Sequence, residues 1–419
     1  MLISKSILYA MSIATCRATK LYVSSYDGNI TTINVTDRRV FGIQNQTKLD
    51  LKPIAINNGC APSPSWLHLQ SDTLFCADEG NTTPNKSILA SFKTNPNGTL
   101  LPLSKVTTPN GNLSLNSKSN LQKIKCSKLT ANSGSSTITT ISLKKPSALT
   151  ILQTLKLKQK APGPKPQQSV PRPHQILLHR WGMFMLSLDL GADLIRVLRF
   201  DGDAQLEERE QISLPPGSGP RHAVFYINSE CGYKKLYLYL VTEISNMVLG
   251  YEVQWDNGHV NLVKIYESST FGSVPTPLNA AASEILLTPD NKFLIVSSRN
   301  DTHFLNSTNP DPANKTSIAS DTLLTYSIDP CKGALTLTQM YPAGGSFPRS
   351  MSLNSGGDLL AVALQQSSRV VVFRRDVKSG NITEIAGSVA VSGELTDVIW
   401  DNGVPERELG DVGVGTIQE

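Results

Sequence analysis

Seven residues of three chemical types recur at matched places in this chain: His174, Arg221, His222, Glu243, Glu284, Arg299 and Arg349. When the segments opening on PHQILL, PRHAVF, SEILLT and PRSMSL are superimposed, His174, His222, Glu284 and Ser350 share one register position. Arg221, Ser283 and Arg349 hold the position before it. About fifteen residues later Asp189, Arg299 and Gln365 align, joined by Glu243 once the longer turn SECGYKK is allowed for. Arginine offers a planar fork matched to carboxylate or phosphate. Histidine and glutamate exchange protons near neutral pH when their surroundings shift their pKa. Together they suit a small anionic molecule gripped by arginine while His174 or Glu243 moves a proton. The same groups also fit an ion-pair lattice that holds strands in register without any chemistry. Both readings stand on residue types alone.

The elements that would position these residues are repeated strands. A short apolar run, a polar turn and a second apolar run recur, often with a third, in repeats of the length expected for propeller blades. Seven units lie at 21–50, 66–103, 105–155, 173–210, 220–265, 282–340 and 348–387. The predicted fold is all-β, a seven-bladed propeller of four-stranded antiparallel blades. GELTDVIWDNG pairs with the N-terminal strands to close the ring and remove its open edges. Two antiparallel strands return the chain to its starting end, so both aligned positions face one mouth of the central channel. The third unit is the least regular, its inner strand obscured in LSLNSKSNLQKIKCSKL. APGPKPQQSVPRP is a Pro-rich connection between blades, and FLNSTNPDPANKTSIASD a long surface insertion in the sixth unit.

Repeat architecture makes residues 19–419 a single domain, although 419 residues would otherwise suggest more than one. No apolar run is long enough to cross a bilayer. Residues 1–18 read as a secretory signal peptide, with Lys5, a short apolar stretch and small residues at Ala14 and Ala18; if they are not one, the protein is cytoplasmic. Asn29, Asn34, Asn45, Asn81, Asn85, Asn97, Asn112, Asn300, Asn306, Asn314 and Asn381 each open an Asn-x-Ser/Thr sequon, which supports secretion of a glycoprotein. The six cysteines lack CxxC spacing, which argues against a zinc site; Cys60 and Cys76 are close enough to bridge an early blade. Cleavage after Ala18 would remove Cys16 and leave an odd number. Net charge is only +5, yet no Asp or Glu occurs from Gly80 to Leu188, and lysines including Lys118, Lys128, Lys144, Lys156 and Lys165 accumulate there. Such a stretch either attracts a polyanion or is a solvated edge balanced by neighbouring blades. Aromatic residues are almost absent from it, which argues against base stacking on single-stranded nucleic acid.

Other chemistries find no support: there is no GxSxG, no GxxxxGK[ST] and no HExxH. His174 and His179 are five apart on a strand and face opposite sides, which spoils a shared metal. Asp201 and Asp203 fit a polar hairpin turn, Asp189 and Asp193 fit caps on strand ends, and Trp181, Trp255 and Trp400 fit blade packing. At GSGPRHAVF, LDLGADLIRV, VTEIS, SEILLTPDNKFLIVSSRND and GSFPRSMSL the chain resembles the lactonase family of seven-bladed propellers, also called the cycloisomerase 2 family. That family includes propeller-type 6-phosphogluconolactonases and fungal carboxymuconate cyclases. The resemblance covers nearly the whole chain and implies His174, Arg221, Glu243 and Arg299 as polar site residues. It implies lactone opening or closing with no required metal or organic cofactor. Three functions follow as expectations: hydrolysis of a small anionic lactone, cyclisation of a carboxymuconate-like acid, or non-catalytic binding of a polyanion. In the first, Arg221 and Arg299 bind carboxylate and stabilise oxyanion charge while His174 and Glu243 act as general acid and base. His222, Glu284 and Arg349 complete the substrate contacts.

Overall fold

A strand covered on both sides by other blades must be apolar on both faces, whereas a strand on the rim need be apolar on one. The chain follows this rule. Phe293–Arg299 and Met185–Asp189 are buried at every position, while Leu206–Ser213 alternates between half-buried and exposed residues. In the computed structural model, which describes residues 19–37, 48–80, 86–118, 127–143, 145–179, 182, 184–200, 205–228 and 234–401, these strands form seven four-stranded antiparallel sheets. Each sheet is one blade, and blades pack face to face. Tyr237, Tyr239 and Val241 of one blade meet Leu294, Val296 and Tyr326 of the next in a continuous cluster.

From inner to outer strand, the first blade is Leu395–Asp401, Thr19–Ser25, Ile30–Asp37 and Leu49–Asn57. Its inner strand therefore comes from the C-terminal end and its other three from the N-terminal end, as expected for ring closure. Blades two to seven begin with inner strands Pro64–Gln70, Asn112–Lys118, Pro173–Leu178, Pro220–Asn228, Ala281–Leu287 and Pro348–Leu353. The obscure inner strand of the third blade is Asn112–Lys118. The preceding run Leu100–Pro109 is the outer strand of the second blade, so the boundary expected at 103–105 moves to residues 110–111. In the sixth blade the insertion folds a small hairpin of Phe304–Ser307 with Ile318–Ser320. It is tied to the seventh blade by Arg369 and Asp311 at 3.0 Å and by the Ser388 hydroxyl donating to the Pro310 carbonyl.

Cys60, in the connection from the first blade, is disulfide-bonded to Cys76 of the second, and Cys331 is disulfide-bonded as well. Lys128, counted above in a basic surface, is fully buried with its ammonium 4.0 Å from the Phe75 ring centroid, so it adds nothing to that surface. Trp255 stacks on Phe184, and the Trp400 indole donates to the Ser352 carbonyl; both pack blades as expected. Residues 1–18, Asn45, Asn81, Asn85, Trp181, Asp201 and Asp203 lie outside the described residues.

Candidate active site

In every blade the pairing of the inner strand with its neighbour slips at the same end. The slip falls at Thr396, Ser65, Leu113, His174, Arg221, Ser283–Glu284 and Arg349, going round the ring from the first blade. A β-bulge takes an extra residue out of the ladder and re-aims its side chain. Seven equivalent bulges thus set a ring of side chains around the channel. A second ring stands above it, one residue past the second strand. The backbone N–H groups of Tyr26, Glu79, Ser133, Leu190, Glu243 and Gln365 donate to the carbonyls of Glu394, Ser63, Gly111, Arg172, Gly219 and Phe347. Arg299 takes this place in the sixth blade by pairing with Ala281.

This geometry corrects two alignments. His174 is the equivalent of Arg221, not of His222, whose counterpart is Gln175: Pro173 pairs with Asp189 as Pro220 pairs with Thr242. By the same pairing Asp189 matches Thr242, and Leu190 is the residue that faces the mouth beside Glu243. Asp189 instead accepts the backbone N–H groups of Arg172, Gly191 and Ala192 and pairs with buried Arg196 at 2.7 Å. Gln365 turns to Glu394 at 3.0 Å and does not line the mouth.

All seven expected residues converge. His174, Arg221, Glu243, Arg299 and Arg349 line a void of about 540 Å³ at the mouth. His222 and Glu284 lie beneath it with Ser350 and Asp397. Glu243 Oε2 is 2.8 Å from both Arg221 Nε and Arg299 Nη2, so one carboxylate bridges two guanidinium groups. Arg221 Nη1 donates to the Ser283 carbonyl at 2.8 Å, and the Arg299 guanidinium lies 5.1 Å over the Phe347 ring. His222 Nδ1 is 2.8 Å from Glu284 Oε1, and its ring meets those of His174 and Trp66 edge-on. His174 Nδ1 is buried and has no hydrogen-bond partner among the described residues. On the far side Arg349 donates to the Tyr26 hydroxyl at 2.6 Å and pairs with Glu79 at 3.2 Å, while the Tyr26 hydroxyl also donates to Glu79. Sequence reasoning missed Tyr26 and Glu79. Both occupy the second ring, and superimposing the first two repeats on the later ones would have found them.

The charges tune one another. Burial, reinforced by Arg221, His222, Arg349 and Arg299, holds the His174 imidazole well below its usual range, so it is neutral at physiological pH. Burial pushes the Glu243 carboxyl up, but Arg299 and Arg221 together outweigh it and hold that carboxyl below the usual range. Burial and Arg299 bring Arg221 down to about 9, which still leaves it charged. Burial works against charge on Arg349, but Tyr26 and Glu79 more than offset it. Deeper in the channel, burial lifts Asp397 to about 6 although Ser350 and the Leu67 N–H both hydrogen-bond it. A neutral base therefore sits beside an ionised carboxylate and several fixed cations. Such a site can polarise a carbonyl, neutralise an oxyanion and shuttle a proton.

The family described as lactonase, seven-bladed β-propeller, matches residues 20–400. Among curated proteins the chain is 30% identical over 392 residues to the "Probable 6-phosphogluconolactonase" of Arthroderma benhamiae, covering 93% of each chain. It is 29% identical over 214 residues to the 6-phosphogluconolactonase of Formosa agariphila, a match spanning 50% of this chain and 52% of that one. The solved structure of a periplasmic gluconolactonase from Pseudomonas aeruginosa shares the fold with a TM-score of 0.73 at 23% identity, over 91% of this chain and 98% of that one. With its blades, its closure and nearly all of its length accounted for, the chain belongs to the lactonase family of seven-bladed β-propellers.

Proposed function

We propose that this lactonase-type hydrolase opens the ring of a small anionic lactone by direct addition of water. The observation that carries the reading is the bridge of Arg221 and Arg299 through Glu243, set beside neutral His174, which lines the same void. His174 takes a proton from water as the oxygen attacks the lactone carbonyl. The oxyanion forms against Arg221 and Arg299, whose positions Glu243 fixes. The ring C–O bond then breaks, and the proton on His174 passes to the departing ring oxygen, giving a hydroxy acid. Glu243 therefore serves as the anchor of the two arginines, not as the general base expected from its residue type, because two adjacent cations make its carboxylate a weak proton acceptor. The names of the relatives make a phosphorylated sugar lactone the first substrate to try.

The test is hydrolysis of a lactone panel and cyclisation of carboxymuconates by the purified protein, with His174→Ala beside it. The expected result is lactone opening that falls about a hundredfold or more in kcat in the variant while the fold persists. Turnover of carboxymuconate alone would move the protein to the cycloisomerases. We further infer export from the cell. The Cys60–Cys76 disulfide and the exposed sequons at Asn97, Asn306 and Asn314 support it, since disulfides persist chiefly in oxidising compartments.

A further inference from the structure

The mouth is not symmetric. Its charged residues sit on blades two, five, six and seven, while the void opens over blades three and four, against Leu113, Ser133, Pro166, Gln167 and Leu190. Among the described residues one cation lines that side: Arg172, at the end of the Pro-rich connection. Four guanidinium groups and two carboxylates line the void, Arg172, Arg221, Arg299 and Arg349 against Glu79 and Glu243. Three of the four are already answered, since Arg221 and Arg299 share Glu243 and Arg349 has Glu79. Arg172 pairs with no carboxylate among the described residues, and its buried Nε has no hydrogen-bond partner.

Its backbone is nevertheless fixed. Pro171 and Pro173 flank it, which restricts both their own φ angles and the residue between them. Its N–H donates to Asp189 Oδ1 at 2.6 Å, and the Pro171 carbonyl accepts from the Ser136 hydroxyl at 2.6 Å. The connection before it is pinned by fully buried Gln168, whose amide donates to Asp193 Oδ1 at 2.7 Å and to the Leu190 carbonyl at 3.1 Å. Gly191 permits the close approach, since a Cβ there would lie 2.0 Å from the Val170 carbonyl oxygen. A cation carried on backbone held this firmly, lining the void and lacking a partner, is poised for an anion that arrives with the ligand.

We propose that Arg172 forms a rim subsite for the anionic substituent of the substrate, a phosphate or carboxylate remote from the lactone carbonyl. The lactone then lies across blades three and four, its carbonyl at Arg221, Arg299 and His174 and its anionic group on Arg172. The mouth's excess of two positive charges suits a dianion. This orientation rests on the lactonase reading above.

The experiment compares wild type, Arg172→Met and Arg172→Lys on the phosphorylated and unphosphorylated forms of one sugar lactone, with calorimetric binding of the phosphorylated sugar acid alongside. Arg172→Met should raise KM for the phosphorylated lactone about tenfold with little change in kcat, and lower the preference for it over the unphosphorylated form by a similar factor. Arg172→Lys should recover only part, because lysine lacks the planar fork. If wild type opens lactones and Arg172→Met leaves that preference unchanged, the subsite is wrong and the lactonase reading stands. If wild type opens no lactone yet binds the phosphorylated acid in an Arg172-dependent way, the subsite stands and the reading fails. Neither turnover nor binding by wild type overturns both.

Discussion

At the scale of single residues, the site is governed by who compensates whom. His174 faces His222 and the cations Arg221, Arg349 and Arg299, and all of them, with burial, disfavour its protonation. A base whose pKa is lowered stays in its working, unprotonated form to lower pH. The kcat/KM profile for lactone opening should therefore remain flat from pH 8 down to pH 6, with its acid limb below the ordinary imidazole range. A limb centred near 6.5 would remove His174 from the role of base. The register of Arg221, Glu243 and Arg299 was legible in the sequence because four later repeats resemble one another. The one-residue error that placed His174 with His222 came from matching histidine to histidine, where Pro173 and Pro220, which pair alike with their second strands, give the true register. Residue type alone does not say which of two successive positions leaves the ladder to face the channel; strand pairing does.

At the scale of elements, the same one-residue offset aligned Asp189 with Arg299, although Asp189 reads as a strand-end cap and is one. It stands one place short of the second ring, where it gathers three backbone N–H groups and the Arg196 guanidinium. Both side chains are wholly buried, and Arg196 also reaches Glu208 at 2.7 Å. Asp189→Ala would leave a buried charge with half its compensation, and should cost roughly 3–5 kcal/mol of stability. The midpoint of a denaturant titration would show this, and a shift too small to resolve would mean that Glu208 alone suffices. The cap roles expected for Asp189 and Asp193 hold: Asp193 accepts the N–H groups of Gly217 and Gly219 at 2.7 Å each. Arg172 was not legible. Its meaning depends on the three other arginines already being paired, and no spacing in the sequence says so.

At the scale of the whole molecule, the fold was legible because seven repeats leave few alternatives to a closed ring. What the repeats could not show was how tightly the closing strand is held. Asp397 accepts hydrogen bonds from Ser350 of the seventh blade and from the Leu67 N–H of the second, and Thr396 donates to the Pro64 carbonyl. Deleting residues 19–35 should therefore abolish stable folding, because it leaves this inner strand without its neighbour and reopens two blade edges. A truncated protein with a single sharp thermal transition at the parent's temperature would refute cooperative closure. Export can be checked at the same scale. Expressed in a eukaryotic secretory host, the protein should lose about fifteen to eighteen N-terminal residues and shrink on deglycosylation. Site mapping should find Asn97, Asn306 and Asn314 occupied and Asn112 bare, since Asn112 is fully buried and its amide donates to Thr108 and the Ile88 carbonyl. Occupied Asn112 in folded protein, or an intracellular unglycosylated product, would argue against this account.

The strand that completes the first blade also sets a clock. Thr19–Ser25 and its inner partner Leu395–Asp401 are separated by 369 residues. At ribosomal rates of about 5–20 residues per second, the N-terminal strands wait roughly 20–75 s for that partner. For all that time an edge strand stays bare, and the channel floor lacks Asp397. A nascent chain stalled anywhere short of its last strand should thus be both inert and sticky, a natural client for chaperones. Catalysis would begin only when the final strand seats.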